Sequence, residues 1–258
     1  MDRVTSRDGT TIAFDRLGGG PPVVLVCGGS TDRMINAPLA QALASRFTVF
    51  NYDRRGRGDS GDTLPYAVER EFEDLAAVID AAGGEASVYG TSSGAALAME
   101  AAAEGLAITK LALWEPPYIL DKDQRPPPNT AEVYADLVSK GRRGDAVEFF
   151  MSKVVGMPDE FVAQARQAPF WAGQEAIAHT LAYDATIMGD YSLPFERAAE
   201  VRIPTLVLAG GASPPFMRET AGTLADTIPQ GQTRTLEDQG HDVDPAVIAG
   251  AVEKFFAS

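Results

Sequence analysis

The stretch Ser87-Val88-Tyr89-Gly90-Thr91-Ser92-Ser93-Gly94-Ala95-Ala96-Leu97-Ala98-Met99-Glu100 decides the fold. Its first four residues read as a strand. Gly90-Thr91-Ser92-Ser93-Gly94 matches the pattern G-x-S-x-G, and the alanine-rich run after it reads as a helix. A serine at such a strand–turn–helix corner occupies a strained backbone position that lifts its hydroxyl above the sheet edge. The flanking positions crowd neighbouring backbone and accept only glycine or another small residue. The helix starting there points its free amides and positive dipole end at any charge developing beside the serine. This assigns Ser92 as a nucleophile and the amide of Ser93 as one oxyanion donor.

Outward from the elbow, strands alternate with helices. Val4 to Ser6 and Thr11 to Asp15 flank a turn at Asp8-Gly9 and read as a hairpin. PVVLVCGGS is a β-branched run that feeds a glycine loop, the look of a buried central strand. A helix over Pro38 to Ser45, a strand in FTVFNYD, the charged loop DRRGRGDSGD and a helix from about Tyr66 to Ala82 follow. ITKLALWEPP is the strand after the elbow helix. The alternation predicts an α/β fold, a mainly parallel sheet with helices on both faces. It breaks between about Pro116 and Pro194, where helical patterns occur without a clear strand. It resumes with IPTLVLAGGASP, a helix at about Phe216 to Thr227, a strand near Thr233 to Leu236, a loop carrying His241 and a last helix. The expected organisation is a core of residues 1–115 and 195–258 with a helical cap inserted at 116–194.

Composition narrows the classes. Lys plus Arg total 22 against 36 Asp plus Glu, a formal charge of −14. Such a surface repels nucleic-acid backbones and anionic membranes, so neither is an expected partner. No run approaches the roughly 20 apolar residues of a membrane span. The polar N-terminus lacks a signal-peptide core, so a cytoplasmic location is expected. Cys27 is the one cysteine, excluding an internal disulfide and thiolate metal clusters; with only His179 and His241 present, a histidine-rich metal centre is excluded too. Cys27 ends an apolar strand-like run and is read as a small buried residue.

With DRRGRGDS, GTSSG and a late GHD in this order, the chain resembles the α/β-hydrolase superfamily over nearly its whole length. LALWEPP, LVLAGGASPPFM and QGHDV resemble more narrowly a group of small cofactor-free hydrolases of actinobacterial type. The resemblance implies an eight-stranded, mostly parallel sheet under a helical cap, no cofactor and no metal. It implies that the loop after VVLVC supplies the second oxyanion amide, at Gly29, although the usual His-Gly-x of that loop is here Cys27-Gly28-Gly29. It implies that Asp53, Arg54 and Gly56 hold loops together, and that the base is His241, in DQGHDVD. An imidazole, with an ordinary pKa of about 6.5, suits that task; His179 is the rival.

The family order is serine, acid, histidine. The acid normally follows the strand PTLVLAGG, but this chain has Gly211-Ala212-Ser213-Pro214 there, with no carboxylate. Three substitutes remain, ranked Glu115, Asp238 and Asp242. Glu115 ends the strand after the elbow, a place used by certain haloalkane dehalogenases of this fold.

Trp114, Tyr118, Phe170 and Trp171 lie in or beside the cap and are expected either to line an apolar substrate pocket or to form cap core. The favoured activity is a carboxylesterase-like serine hydrolase cleaving a small, fairly apolar ester, lactone or amide through an acyl-enzyme. Perhydrolase or carbon–carbon hydrolase chemistry on the same residues, and a non-catalytic ligand-binding protein, are the alternatives. The expected partner is a small-molecule substrate, and the expected state a monomer or homodimer.

Overall fold

The computed structural model describes residues 1–258. The strands are β1 (Asp2–Thr5), β2 (Thr11–Gly18), β3 (Pro22–Val26), β4 (Thr48–Tyr52), β5 (Ala86–Thr91), β6 (Ile108–Trp114), β7 (Thr205–Gly210) and β8 (Gly231–Leu236). They form one eight-stranded sheet in the order β1-β2-β4-β3-β5-β6-β7-β8. Only β2 runs against its neighbours; β4 through β8 pair in parallel. The near-continuous apolar run Val23 to Val26 of β3 is fully buried, as a central strand covered on both faces must be.

The helices are α1 (Ala37–Leu43), α2 (Val68–Ala81), α3 (Ser93–Ala103), α4 (Thr130–Ser139), α5 (Arg143–Phe149), α6 (Asp159–Ala165), α7 (Trp171–Ile177), α8 (Leu181–Met188), α9 (Phe195–Glu200), α10 (Pro215–Thr227) and α11 (Pro245–Phe256). On one face, Leu39 and Leu43 of α1 and Ile248 and Val252 of α11 pack with Val23, Leu25, Trp114 and Leu208. On the other, α2, α3, α9 and α10 bury Leu75, Leu97, Ala198 and Leu224 against Val24, Val88 and Leu113. Between β6 and β7 the chain makes α4 to α9 and no strand. Part of that insert has a small core of its own, around Tyr134, Val147, Trp171 and Leu181.

The chain crosses from β3 outward to β4 and then back past β3 to β5. The loops after β3 and β5 therefore diverge above adjacent strands, at the switch point where parallel sheets open a crevice at their C-terminal edge. Ser92 follows β5 at that point. Of the five non-glycine residues with positive φ, four (Ser30, Ser92, Glu115 and Asp238) follow the C-terminal ends of β3, β5, β6 and β8. Such backbone costs of order 1–3 kcal/mol per residue and persists only where surrounding structure holds it, so the strain gathers on one rim of the sheet.

Candidate active site

Ser92 sits at φ 55°, ψ −128° as the N-cap of α3. Its amide donates to the Trp114 carbonyl at 2.9 Å, tying the elbow to the end of β6. The glycines are steric necessities: a Cβ on Gly90 would lie 2.7 Å from the Ala95 Cα, and one on Gly94 would strike the Cys27 carbonyl. Gly28 is equally constrained, since its Cβ would stand 3.0 Å from the Ser92 Cβ and 3.7 Å from its hydroxyl. The family resemblance pointed to Gly29 in this loop; the steric constraint on Gly28 shows only once the loop stands against the Ser92 elbow.

His241 lies in the loop between β8 and α11. Its Nδ1 is 2.7 Å from Glu115 Oε2. The imidazole is partly exposed, at 40%, and the carboxylate is fully buried. Glu115 sits just past β6 at φ 43°, with its amide bonded to the Leu208 carbonyl at 3.0 Å. Its Oε1 accepts from the Gly210 amide at 2.8 Å, so each carboxylate oxygen has a donor. Burial pushes this carboxyl up, but the hydrogen bonds from His241 and the Gly210 amide outweigh it and hold it below the ordinary carboxylate range. The Ser213 hydroxyl, at the family's usual acid position, lies close enough to help lower it but completes no hydrogen bond. Asp238 and Asp242 are exposed, and Glu115 is the carboxylate paired with the His241 ring.

The aromatic residues do not converge. Trp114 is buried in the layer under α1 and α11, and its Nε1 donates to the His241 carbonyl at 2.9 Å. It steadies the histidine loop from below. Tyr118 is buried in the opposite layer of the core. Trp171 packs in the insert's own core and donates to Glu175 at 3.0 Å. Phe170 is 53% exposed. An indole with an N–H needs both an apolar bed and an acceptor; Trp114 finds them in the sheet layer under α1 and α11, and Trp171 in the insert's own core.

His179 lies 3.5 Å from Asp62 Oδ2 and packs edge-on against Tyr183. Cys27 is fully buried, and burial raises its thiol above the ordinary value, an inert environment.

The loop after β4 is a charge lattice. Arg54 is bidentate to Glu71 at 2.7 and 2.8 Å and reaches Asp184 of α8 at 2.8 Å. Arg55 pairs with Asp74 and Asp8. Arg57 pairs with Asp184 at 2.7 Å. Asp53 holds Arg33 and accepts from the Asp59 amide at 2.8 Å. All three loop arginines are buried, and a buried guanidinium is tolerable only when paired. Asp53 ties its loop to Arg33, and Arg54 ties it to helices α2 and α8. Gly56 has φ 74°, and a Cβ there would lie 2.9 Å from His179 Nε2. Asp184 carried no sequence signal, because its partners are more than 90 residues away.

Residues 23–251 match the model of an alpha/beta hydrolase family. The chain belongs to that family. A solved alpha/beta hydrolase from Sphaerobacter thermophilus is 58% identical, with 99% of this chain and 100% of that one covered at a TM-score of 0.93. A thermophilic esterase from Thermogutta terrifontis is 24% identical over 99% of this chain and 97% of that one, with a TM-score of 0.75, a likeness of fold alone. A protein of Azorhizobium caulinodans named for carbamate hydrolysis, RutD, is 39% identical over 87 residues, which are 33% of this chain and 33% of that protein. The chain spans only 33% and 12% of the lengths of two curated relatives that it matches. No helix is long and apolar enough to cross a membrane.

Proposed function

We propose that the protein is a serine hydrolase of a small, neutral, fairly apolar ester, lactone or amide, with Ser92 as nucleophile, His241 as base and Glu115 as the acid that orients the base. The observation that carries this reading is the 2.7 Å pair between His241 Nδ1 and Glu115 Oε2, built on the strand beside the one that ends in the Ser92 elbow. A carboxylate held ionised accepts from Nδ1–H, which leaves Nε2 as the basic nitrogen. Nε2 takes the hydroxyl proton as Ser92 Oγ attacks the carbonyl carbon. It then delivers that proton to the leaving group, and an acyl-enzyme forms. Water, deprotonated by the same nitrogen, hydrolyses the ester and regenerates Ser92.

The oxyanion is stabilised by the amides of Ser93 and Gly29. As the first residue of α3, Ser93 has no intrahelical acceptor for its N–H. The Gly29 amide has no backbone acceptor either. Arg54 and Arg57 spend their charge on Glu71 and Asp184, so the wall beside Ser93 offers no free cation, which supports a neutral substrate. The insert, which packs Asp184 against this wall, acts as a cap. The non-catalytic reading rested on a missing acid, and the Glu115–His241 pair weighs against it.

The test is labelling by a fluorophosphonate probe, with p-nitrophenyl acetate as the turnover substrate. Adduct on Ser92 and loss of turnover in Ser92→Ala are expected. A folded wild-type protein that neither turns over the ester nor labels at Ser92 would refute the reading.

A further inference from the structure

The loop from Gly28 to Thr31, which carries the Gly29 amide, makes no backbone–backbone hydrogen bond of its own. An oxyanion donor must nonetheless be fixed to a few tenths of an ångström before the reaction begins. The fixing comes from side chains. Arg57 Nη1 donates to the Gly28 carbonyl at 2.5 Å. Thr31 Oγ1 donates to the same carbonyl at 2.9 Å. Ser30, strained at φ 55°, is held twice by Gln174 of α7: its hydroxyl donates to Gln174 Oε1, and Gln174 Nε2 donates to the Ser30 carbonyl at 3.1 Å.

Asp184 of α8 joins both halves of the hole. Its Oδ1 accepts from the Ser93 hydroxyl at 2.8 Å. Its Oδ2 holds Arg57 at 2.7 Å, and the same oxygen would lie 3.1 Å from a Cβ on Gly29. Burial pushes this carboxyl up, but Arg57 and Arg54 outweigh it and keep it ionised.

We propose that Asp184 and Gln174 are positioning residues: through them the cap, rather than the core alone, holds the Gly29 and Ser93 amides in register with Ser92. The proposal rests on the serine-hydrolase reading and assigns a further task to α7 and α8. In this role the carboxylate is electrostatically awkward. A negative charge beside an oxyanion site opposes the charge that forms there, so its presence needs a reason other than stabilising that charge. Gripping two guanidiniums and a hydroxyl at once, in fixed directions, is such a reason, because a carboxylate accepts at both oxygens.

This opposition makes the test decisive. Asp184→Asn removes the repelling charge and leaves both arginines in place, so electrostatics alone predicts faster turnover. Positioning predicts slower turnover, because the Asn oxygen can serve only one side: its NH₂ then faces either Arg57 or Arg54 and Ser93, and cannot accept there. Turnover of p-nitrophenyl acetate and the rate of fluorophosphonate labelling are measured on the full chain after a thermal melt confirms folding. For Asp184→Asn, kcat and the labelling rate should fall about 10²-fold, as when an oxyanion donor is lost, with KM changed by less than about threefold and the pH profile unmoved. For Gln174→Ala, which removes only the Ser30 grip, a fall of about tenfold in kcat is expected.

A folded Asp184→Asn with kcat equal to or above wild type, or with its whole loss in KM, overturns the proposal. If that variant does not fold, Gln174→Ala decides, and unchanged kcat overturns it. A wild type that fails to label at Ser92 sinks the serine-hydrolase reading itself, a result separable from both.

Discussion

Replacing Glu115 with Gln changes one atom of a buried group and should nearly stop the enzyme. Glu115 accepts two hydrogen bonds, from His241 Nδ1 at 2.7 Å and from the Gly210 amide at 2.8 Å. A glutamine has one oxygen and one NH₂. If its oxygen keeps Gly210, its NH₂ faces Nδ1, which must then be the acceptor. The ring proton moves to Nε2, and the nitrogen meant to take the serine proton is blocked. If the oxygen keeps the histidine, two N–H donors face each other at Gly210 in a fully buried site, at a cost of about 1–3 kcal/mol. The first orientation is therefore favoured, and it is the wrong tautomer for catalysis. The loss of turnover in such a case is about 10⁴-fold, or about 5 kcal/mol of barrier. A partly exposed imidazole admits water as a substitute partner, so about 10³- to 10⁴-fold is the expectation here. Stability should change far less. One charge-assisted hydrogen bond is worth about 1.5–3 kcal/mol, partly offset because a charge is no longer buried, which in a chain of this size moves the melting temperature by about 5 °C. The assay is kcat for p-nitrophenyl acetate beside a thermal melt, with Asp238→Asn as the comparison, expected to lose less than about threefold. A folded Glu115→Gln within tenfold of wild type, or an Asp238→Asn that falls as far, would refute the assignment.

Gly28→Ala places a methyl 3.0 Å from the Ser92 Cβ and 3.1 Å from the Thr91 carbonyl; it should displace the nucleophile and lower kcat at least about tenfold with the fold intact, and wild-type kcat would show that the loop yields freely. Trp171→Ala empties the insert's core and breaks the Glu175 bond; a loss of about 3–5 kcal/mol should appear in denaturant melts, and a change in acyl selectivity without that loss would return Trp171 to the pocket. Burial raises the Asp8 carboxyl, but hydrogen bonds from Thr10 and Arg55 win and lower it from 3.8 to about 2. Its contribution, about 2 kcal/mol, is complete above pH 3.8 and lost as pH falls through 2, so Asp8→Asn should flatten the acid limb of a stability–pH curve; parallel limbs would contradict the pairing.

The sequence carried the strand–helix alternation well because each element keeps its own period. The helix expected from about Tyr66 to Ala82 is α2 (Val68–Ala81), and the short strand expected near Thr233 begins two residues earlier, at Gly231. Gly90 and Gly94 were legible because a strained elbow dictates small neighbours within four residues. The aromatic residues were not, because adjacency in sequence says nothing about which face of a strand or which helix core receives a ring. Trp114 follows the pleat to the α11 side of the sheet, while Leu113, one residue earlier, faces α3. Asp184 and Gln174 were illegible for a different reason: a polar residue in an amphipathic helix reads as solvent-facing, and only tertiary contact shows that it faces a buried arginine or a strained serine.

The place of the carboxylate paired with His241 follows from the same geometry. At the family's usual position stands Ser213, buried and with an unsatisfied hydroxyl. A Cβ on Gly210 would lie 2.9 Å from that hydroxyl, so the loop packs tightly against the strand end. What β7 contributes instead of a carboxylate is a donor, the Gly210 amide, and it is aimed at Glu115. A carboxylate arriving from β6 needs such a donor on its second oxygen, or it would be buried with half its acceptor capacity unmet. It also needs to turn off its strand, which the positive φ of Glu115 does. The carboxylate at the end of β6, the donor at β7 and the bare serine at 213 thus form one arrangement. Removing the Glu115 carboxylate alone leaves the buried Gly210 amide without its acceptor, and removing that donor leaves Glu115 Oε1 unmet.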